Sequence, residues 1–349
     1  MNNTQNEKYC FAPFYMAEIS STGDVYPCCP QYINFYSFGN IFHEDFEKIW
    51  NSKKAEFFRN KILNSDYSLC NKEICVFNIQ KTKEEIFSYN TKKTPPVKFL
   101  RFAYDITCNI ACKTCRSEIY TDRNLELDKM YDRLSSILDS VETVQLSTSG
   151  DVFASKHGRN ILSKICKNHP NIKLHIDTNG ILLTPNLYKE LQLKNKIEKL
   201  IISIPALKES TYNRIIKYGN YKKLYENFDF LIEERNKGHI SQLDIVMVIH
   251  KLNYKEMISM AKIAIEKDIN IFYTAYQPWK NSPFATDYNE LAIFNKKHKE
   301  HKKFLKIINN PIFKMNNCSF EPQILKLLEN TEKQNNLLDI IHKFFNKTN

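Results

Sequence analysis

From residue 97 onward, the chain alternates between short apolar runs and longer amphipathic stretches. Six runs rich in β-branched and aromatic residues predict strands. Between them, apolar residues recur every three to four positions, which predicts helices with one buried face. The predicted strands are Val97–Ile106, Thr143–Ser147, Lys173–Asp177, Lys199–Ile204, Leu243–Ile249 and Ile271–Ala275, and the clearest helices are Leu125–Leu138, Tyr221–Glu234 and Tyr254–Lys267.

Strands that alternate with helices are joined by right-handed crossovers and form a parallel sheet. Such a sheet is either open or curled into a barrel, and in both cases ligands bind at the carboxyl ends of the strands. Cys108 to Cys115 follow the first predicted strand, Ser149 to Asp151 the second and Thr178 to Gly180 the third, while Ser203 ends the fourth. We therefore expect the functional site along this edge.

A change of pattern near residue 95 predicts a domain boundary. The segment TKKTPPV carries polar residues and two prolines, which do not continue a helix. We expect a small α+β domain over residues 1–95, the strand and helix repeat over 96–280 and a helical C-terminal extension over 281–349.

Composition and charge exclude several classes of protein. The seven glycines are never as close together as a dinucleotide fingerprint or a phosphate-binding P-loop requires. The apolar runs are too short to span a membrane. The net charge is +11, but the Lys-rich stretch 296–303 follows a helical pattern, so we interpret it as a solvated helix face rather than a nucleic-acid surface.

Ten cysteines in one chain need a chemical explanation. The N-terminus lacks the basic start and apolar run of a signal peptide, so we expect a cytoplasmic protein. In a reducing cytoplasm, cysteines are more often metal ligands or nucleophiles than disulfide partners. Five of them lie in the first 75 residues, and three lie within eight positions of one another.

The three closely spaced cysteines, Cys108, Cys112 and Cys115, form a CX3CX2C motif. One interpretation is a buried helix face, but the surrounding residues are polar. A structural zinc site takes four ligands, and no fourth Cys or His is nearby. Iron–sulfur clusters are normally held by four cysteines. Three thiolates therefore suit a 4Fe-4S cluster with one iron left open for a substrate or cofactor.

This motif and its place after the first strand resemble the radical S-adenosylmethionine (radical SAM) superfamily. The resemblance implies a partial (β/α)6 barrel and an open iron that chelates the amino and carboxylate groups of S-adenosylmethionine. It further implies that one electron from the cluster cleaves the cofactor to a 5′-deoxyadenosyl radical, which abstracts a substrate hydrogen. An external donor of the flavodoxin or ferredoxin type would supply that electron.

The same resemblance implies a set of cofactor-binding residues. LSTSGD stands where the family has its GGE segment, so Asp151 would accept a hydrogen bond from the methionine ammonium. HIDTNG resembles a recurring TNG segment, and IISIPA resembles a fourth strand whose serine contacts the ribose. Thr114 replaces the aromatic residue usual before the third cysteine, and Arg214 is either a carboxylate ligand or a surface residue. The full set is Thr114, Ser149, Gly150, Asp151, Asn179, Ser203 and Arg214.

The N-terminal region resembles a SPASM or twitch auxiliary-cluster domain. It contains Cys10, a GDVYPCC segment, FGN and EKIWN pieces, and a closing CNKEIC segment. The resemblance implies one auxiliary 4Fe-4S cluster on Cys10, Cys28, Cys70 and Cys75. A zinc ion on the same thiolates is the alternative. Neighbouring residues of an extended chain point to opposite sides, so Cys29 is structural or a substitute for Cys28.

Most relatives carry this module after the barrel, whereas here it comes first. We expect it to fold back over the barrel mouth.

Taken together, these resemblances imply a radical SAM oxidoreductase or isomerase that oxidises, crosslinks or epimerises a peptide or protein. A sugar, aminocyclitol or other small metabolite is the alternative substrate, and a non-catalytic iron–sulfur or zinc protein is the alternative class. Cys318, beyond the last strand, is either a core residue or the hydrogen donor of an epimerase.

Overall fold

The computed structural model describes residues 7–72, 75, 80–87, 95–121, 127, 129–146, 149–277 and 287–328. Strands and helices alternate through most of this part of the chain. The strands are β1 (Tyr9–Cys10), β2 (Met16–Ser20), β3 (Asp24–Tyr26), β4 (Gly39–Asn40), β5 (Gln80–Lys81), β6 (Phe99–Ala103), β7 (Ala111–Cys112), β8 (Thr143–Leu146), β9 (Lys173–Thr178), β10 (Ile197–Ser203), β11 (Ile216–Lys217), β12 (Ile240–Ile249), β13 (Asn270–Ala275) and β14 (Cys318–Phe320).

Helices connect most of these strands. They are α1 (Ala12–Tyr15), α2 (Phe46–Trp50), α3 (Lys53–Leu63), α4 (Lys83–Phe87), α5 (Met130–Leu138), α6 (Lys156–Asn168), α7 (Pro185–Glu190), α8 (Glu209–Ile215), α9 (Tyr221–Asn236), α10 (Met257–Glu266), α11 (Tyr288–Leu291) and α12 (His301–Ile308). Among the described residues, none of these helices combines the length and apolar character that a membrane-spanning segment needs.

The chain divides into two compact units. The first contains residues 1–109, 120–201 and 226–242, and the second contains 110–119, 202–225 and 243–349. Strands β10 and β12 contribute residues to both units. The domain boundary expected at residue 95 stays a prediction.

In the first unit, the strand order is β10-β9-β8-β6-β2-β3-β4. Strands β2, β6, β8 and β9 pair in parallel, whereas β2, β3 and β4 pair antiparallel. One face of this sheet is an apolar row in which Leu100, Val144 and Leu174 are neighbours and fully buried. Burying such rows is the main source of stability for a sheet of this kind.

In the second unit, the strand order is β14-β13-β12-β10. Strands β12, β13 and β14 pair in parallel. The buried Tyr273 of β13 stacks on Phe320 of β14, with 5.1 Å between ring centroids, and donates a hydrogen bond to the Met257 carbonyl at 2.8 Å. This bond joins α10 to the sheet.

The predicted fold class is confirmed. The six strands expected from the sequence are present as β6, β8, β9, β10, β12 and β13, in a mostly parallel sheet consistent with a partial (β/α)6 barrel. The predicted helix at 125–138 is described as α5 from Met130 onward, because residues 122–126 and 128 lie outside the described part of the chain.

The N-terminal hairpin depends on a glycine. Gly23 lies between β2 and β3 with φ of +83°, and a Cβ there would stand 2.4 Å from the Phe42 ring. A left-handed backbone and this close approach both favour glycine.

Candidate cluster and cofactor sites

Cys108, in the first unit, lies where the segment after β6 meets the end of β9. Its backbone N–H donates to the Tyr120 carbonyl at 2.9 Å. The side-chain amide of Asn179 lies 3.8 Å from the Cys108 sulfur and 2.9 Å from Asn109 Oδ1, as the donor in both contacts. Residues that follow two different strands of the sheet therefore meet here.

Cys112 and Cys115, in the second unit, share one tight turn. Cys112 belongs to β7, which pairs antiparallel with β11. The backbone N–H groups of Cys115 and Arg116 both donate to the Cys112 carbonyl at 2.8 Å. The segment is a strand followed by a turn, so the alternative of one buried helix face is wrong.

Gly150 allows the turn after β8 to pack against the segment before Cys108. A Cβ at Gly150 would stand 2.5 Å from the Thr107 carbonyl oxygen and 2.7 Å from that of Asp105. Next to it, the Asp151 N–H donates to the same Thr107 oxygen at 2.8 Å. Only a residue without a side chain leaves room for this backbone contact.

The Asp151 carboxylate joins the turn after β8 to the end of β9. Its Oδ2 accepts from Thr178 Oγ1 at 2.8 Å and from the Asn179 N–H at 2.9 Å, and its Oδ1 accepts from the Phe153 N–H at 3.0 Å. The side chain is buried, and burial raises its pKa, while the hydrogen bonds, led by that from the Asn179 N–H, lower it. Its contact with the methionine ammonium stays a prediction.

The remaining predicted cofactor residues have varied exposure. Thr114, Ser149 and Ser203 are half-buried, and Ser203 is the last residue of β10. Arg214 lies exposed on α8, which is consistent with its interpretation as a surface arginine. Their roles toward a cofactor stay predictions.

Asn227 of α9 was not apparent from the sequence as a site residue. Its buried side-chain amide donates to the carbonyls of Gly180 and Ile181, both at 2.8 Å. Gly180 has φ of +76°, so the turn after β9 is left-handed at this point. The only signal for Asn227 would have been a polar residue on the apolar face of a helix.

The early cysteines of the N-terminal region lie close to one another. Cys28 follows β3, and Cys10 belongs to β1. The Cys10 N–H donates to the Tyr67 hydroxyl at 3.3 Å, while the Cys70 N–H donates to the Tyr67 carbonyl at 2.9 Å. One tyrosine therefore connects two of the predicted ligands.

The pKa values of these thiols also show that the cysteines are close enough to influence one another. Burial raises the pKa of Cys28 well above its usual value, and the neighbouring Cys10, Cys29, Cys75 and Cys70 raise it further. Burial, followed by Cys10 and Cys75, raises the pKa of Cys70 to about 11. These thiols must lose their protons to act as ligands, so metal binding there would release protons.

Cys29 has a different environment from Cys28. Burial raises the pKa of its thiol, and the next largest influence is the Glu18 carboxylate. Glu18 of β2 pairs with Arg101 of β6, with 2.7 Å between carboxylate and guanidinium. The two neighbouring cysteines thus have different charged neighbours, as opposite orientations would produce.

The second face of the first unit's sheet is polar. The register of β2, β6, β8 and β9 brings Glu18, Arg101, Gln145 and His175 into one row, and Asp177 lies two positions beyond His175. Gln145 Nε2 donates to Asp177 Oδ2 at 2.7 Å. This row, called the polar face below, carries charges of both signs.

Cys318 lies at the amino end of the parallel strands in the second unit. It begins β14 and pairs with Ile271, near the start of β13. Burial raises the pKa of its thiol to about 11. This is the amino end of parallel strands, opposite to the edge where such sheets bind ligands, so the placement gives no support to a hydrogen donor.

Two protein-family models match this chain, one over the N-terminal cysteine region and one over the region that contains the CX3CX2C motif. The SPASM iron-sulfur cluster-binding domain matches residues 10–76, and the radical SAM superfamily matches residues 106–264. The chain therefore contains a radical SAM domain preceded by a SPASM domain. A radical SAM domain binds a 4Fe-4S cluster and S-adenosylmethionine, and a SPASM domain binds auxiliary iron–sulfur clusters.

Two curated proteins resemble part of the chain. The FeMo cofactor biosynthesis protein NifB of Methanocaldococcus infernus is 27% identical over 179 residues, which cover 44% of this chain and 59% of that protein. The GTP 3′,8-cyclase of Clostridium perfringens (strain 13 / Type A) is 24% identical over 188 residues, which cover 52% and 56%. The chain thus matches less than two thirds of the length of either relative.

Two solved structures also resemble it. The histidine-tagged protein anSMEcpe with bound AdoMet is 19% identical with a TM-score of 0.42, covering 65% of this chain and 64% of that one. BtrN in complex with AdoMet and 2-DOIA is 16% identical with a TM-score of 0.30, covering 62% and 84%.

The residues of the SPASM region fit an iron–sulfur cluster by their donor chemistry, since four thiols lie grouped and partly desolvated. Within the described ranges, no three His, Cys, Asp or Glu side chains converge closely enough to hold a single metal ion. A cluster distributes its ligands over different irons, so its cysteines need not meet at one point.

We expect Gly150→Ala to disturb the radical SAM loop. The added methyl group meets two backbone oxygens, and such overpacking lowers the free energy of unfolding by about 1–3 kcal/mol. Because the displaced segment leads into Cys108, iron content should fall as well. Urea denaturation and iron analysis of the purified protein measure the two effects.

Gly238→Ala is the matched control. A Cβ at Gly238 meets nothing within 4 Å, although its φ of +77° makes the substitution cost about 1–2 kcal/mol. Iron content should stay at the wild-type level in this variant. If Gly150→Ala kept the stability and iron content of the wild-type protein, the close approach of Gly150 to the Thr107 and Asp105 oxygens would be contradicted.

Proposed function

We propose that this chain is a radical SAM enzyme that cleaves S-adenosylmethionine reductively and removes a hydrogen from its substrate. The observation that carries the proposal is the meeting of Cys108, the Asp151 turn and Asn179 at the carboxyl ends of consecutive parallel strands. When bound, the cluster and S-adenosylmethionine supply a 5′-deoxyadenosyl radical as the hydrogen acceptor. Cys108, Cys112 and Cys115 would hold the cluster.

The protein's own contribution is binding and orientation. Gly150 lets the backbone after β8 approach the ligand, and Asp151 holds that backbone against the end of β9. Ser149, Asn179 and Ser203 present polar groups at strand ends, Thr114 offers its backbone beside the third cysteine, and Arg214 is the candidate for the carboxylate.

The SPASM region would hold one auxiliary 4Fe-4S cluster on Cys10, Cys28, Cys70 and Cys75. The different electrostatic neighbours of Cys28 and Cys29 support Cys28 as the ligand. An auxiliary cluster provides a place for the electron that remains when a substrate is oxidised. We expect a cytoplasmic flavodoxin or ferredoxin to supply the electron for cofactor cleavage.

Cofactor cleavage tests the proposal directly. After anaerobic reconstitution with iron and sulfide, the wild-type protein with dithionite and S-adenosylmethionine should form 5′-deoxyadenosine, measured by chromatography and mass spectrometry. Cys112→Ala should reduce this product to the protein-free background, because the cluster loses a ligand. Cys166→Ala, on α6, should keep full activity. A wild-type protein that holds iron and yields no 5′-deoxyadenosine would favour the non-catalytic alternative.

Metal content tests the auxiliary site. With two 4Fe-4S clusters, the reconstituted chain should contain about eight irons, and Cys70→Ala should contain about four. Cys29→Ala should keep about eight if Cys28 is the ligand. One zinc with about four irons in the wild-type protein would establish the zinc alternative instead.

For the substrate, we infer a peptide or protein that the enzyme oxidises, crosslinks or epimerises. The polar face supports a polar substrate, since it carries the Glu18–Arg101 ion pair and the Gln145–Asp177 hydrogen bond on one side of the sheet. The net charge of +11 favours an acidic partner.

A sugar, aminocyclitol or other small metabolite is the second candidate. The relative named GTP 3′,8-cyclase acts by its name on a small phosphorylated molecule, and the same charges suit such a ligand. The polar face alone does not separate the two classes.

A mixed substrate assay separates them. We expect the reconstituted enzyme to modify members of a pool of short acidic peptides, and to leave a pool of aminocyclitols and sugar phosphates unchanged. Mass spectrometry in D₂O distinguishes loss of two hydrogens, as in oxidation or crosslinking, from gain of one deuterium, as in epimerisation. Modification of the second pool alone would reverse the assignment.

A further inference from the structure

The side chain of Asn179 has every polar atom engaged. Its Nδ2 donates to Cys108 Sγ and to Asn109 Oδ1, and its Oδ1 accepts from the Ile181 N–H at 3.1 Å. An amide nitrogen has two hydrogens, so one is available for each acceptor. The sulfur of Cys108 therefore has a dedicated donor.

The orientation of this amide is set by its surroundings. Rotating it by half a turn would bring Oδ1 against Asn109 Oδ1 and against a cysteine sulfur. It would also turn the amide N–H groups toward the Ile181 N–H. Both contacts would be repulsive, so the amide presents hydrogen, and not oxygen, to Cys108.

The backbone that carries Asn179 is held from two sides. Asp151 accepts from the Asn179 N–H and from the Thr178 hydroxyl. On the other side, Asn227 donates to the carbonyls of Gly180 and Ile181. A turn with this many bonds keeps its side chain in one place, which a group that orients or tunes a metal ligand requires.

We propose that Asn179 is a positioning residue that sets the reduction potential of the radical SAM cluster through the Cys108 sulfur. The inference rests on the proposed function, because it requires Cys108 to be a cluster ligand. A hydrogen bond to a thiolate ligand draws negative charge away from the cluster and stabilises the reduced form, which carries one more electron. Removing the donor should therefore make the cluster harder to reduce.

Two variants remove the donor and keep the turn. In Asn179→Asp, an oxygen still accepts from the Ile181 N–H, but a second oxygen replaces the donor beside the sulfur. In Asn179→Ser, the hydroxyl oxygen still caps the turn, since serine forms the same local bond as asparagine. The serine side chain is too short to reach both partners.

The test is a redox titration of the reconstituted holoenzyme, followed by electron paramagnetic resonance. The signal to follow is the one that changes when S-adenosylmethionine is added, which assigns it to the radical SAM cluster. At a fixed potential near the wild-type midpoint, the ratio of reduced to oxidised cluster should fall about tenfold in Asn179→Asp, or about 59 mV. Asn179→Ser should shift in the same direction by less.

Controls separate this effect from general disturbance. Asn168→Asp makes the same change of charge at an exposed position at the end of α6 and should leave the potential unchanged. The auxiliary cluster in the same sample should also keep its wild-type potential.

The outcomes distinguish the inference from the function it rests on. A wild-type protein without a signal that responds to S-adenosylmethionine would overturn the proposed function. A responsive wild-type signal whose potential is unchanged in an iron-loaded Asn179 variant would overturn the role of Asn179 alone.

Discussion

The rest of the candidate site depends on the hydrogen bonds that the buried Asp151 carboxylate accepts. It accepts hydrogen bonds from Phe153 in its own turn and from Thr178 and Asn179 at the next strand end. Without it, three donors would lose their partner, which costs free energy for the buried Phe153 and Thr178 donors above all. The carboxylate thus joins two loops that the chain makes 28 residues apart.

A second constraint joins the SPASM region to the radical SAM sheet. Strand β2 pairs in parallel with β6 over five residues, from Met16 with Phe99 to Ser20 with Ala103. The Glu18 and Arg101 pair lies within this register, and burial raises the Glu18 pKa while Arg101 lowers it. A module that precedes the barrel in sequence therefore continues its sheet. The polar face and the auxiliary thiols share this one scaffold.

Local patterns predicted much of the fold and part of the site. Strands β6, β8, β9, β10, β12 and β13 could be predicted because buried parallel strands are short apolar runs between amphipathic helices. The helix alternative for Cys112 and Cys115 was wrong, because a spacing of three residues also arises in a strand that runs into a tight turn. Asn227 and Tyr67 could not be predicted, since each contacts a backbone far away in sequence.

The sequence by itself determined the chemistry of this protein, because the identity and spacing of Cys108, Cys112 and Cys115 depend only on neighbouring residues. It also determined the alternation of strands and helices. Only the tertiary structure decided which polar groups meet these cysteines. The amide of Asn179 faces Cys108 because Asp151 and Asn227 hold its turn. Such contacts join residues that are 28 to 71 positions apart in sequence, so they arise only when the folded chain brings the strand ends together.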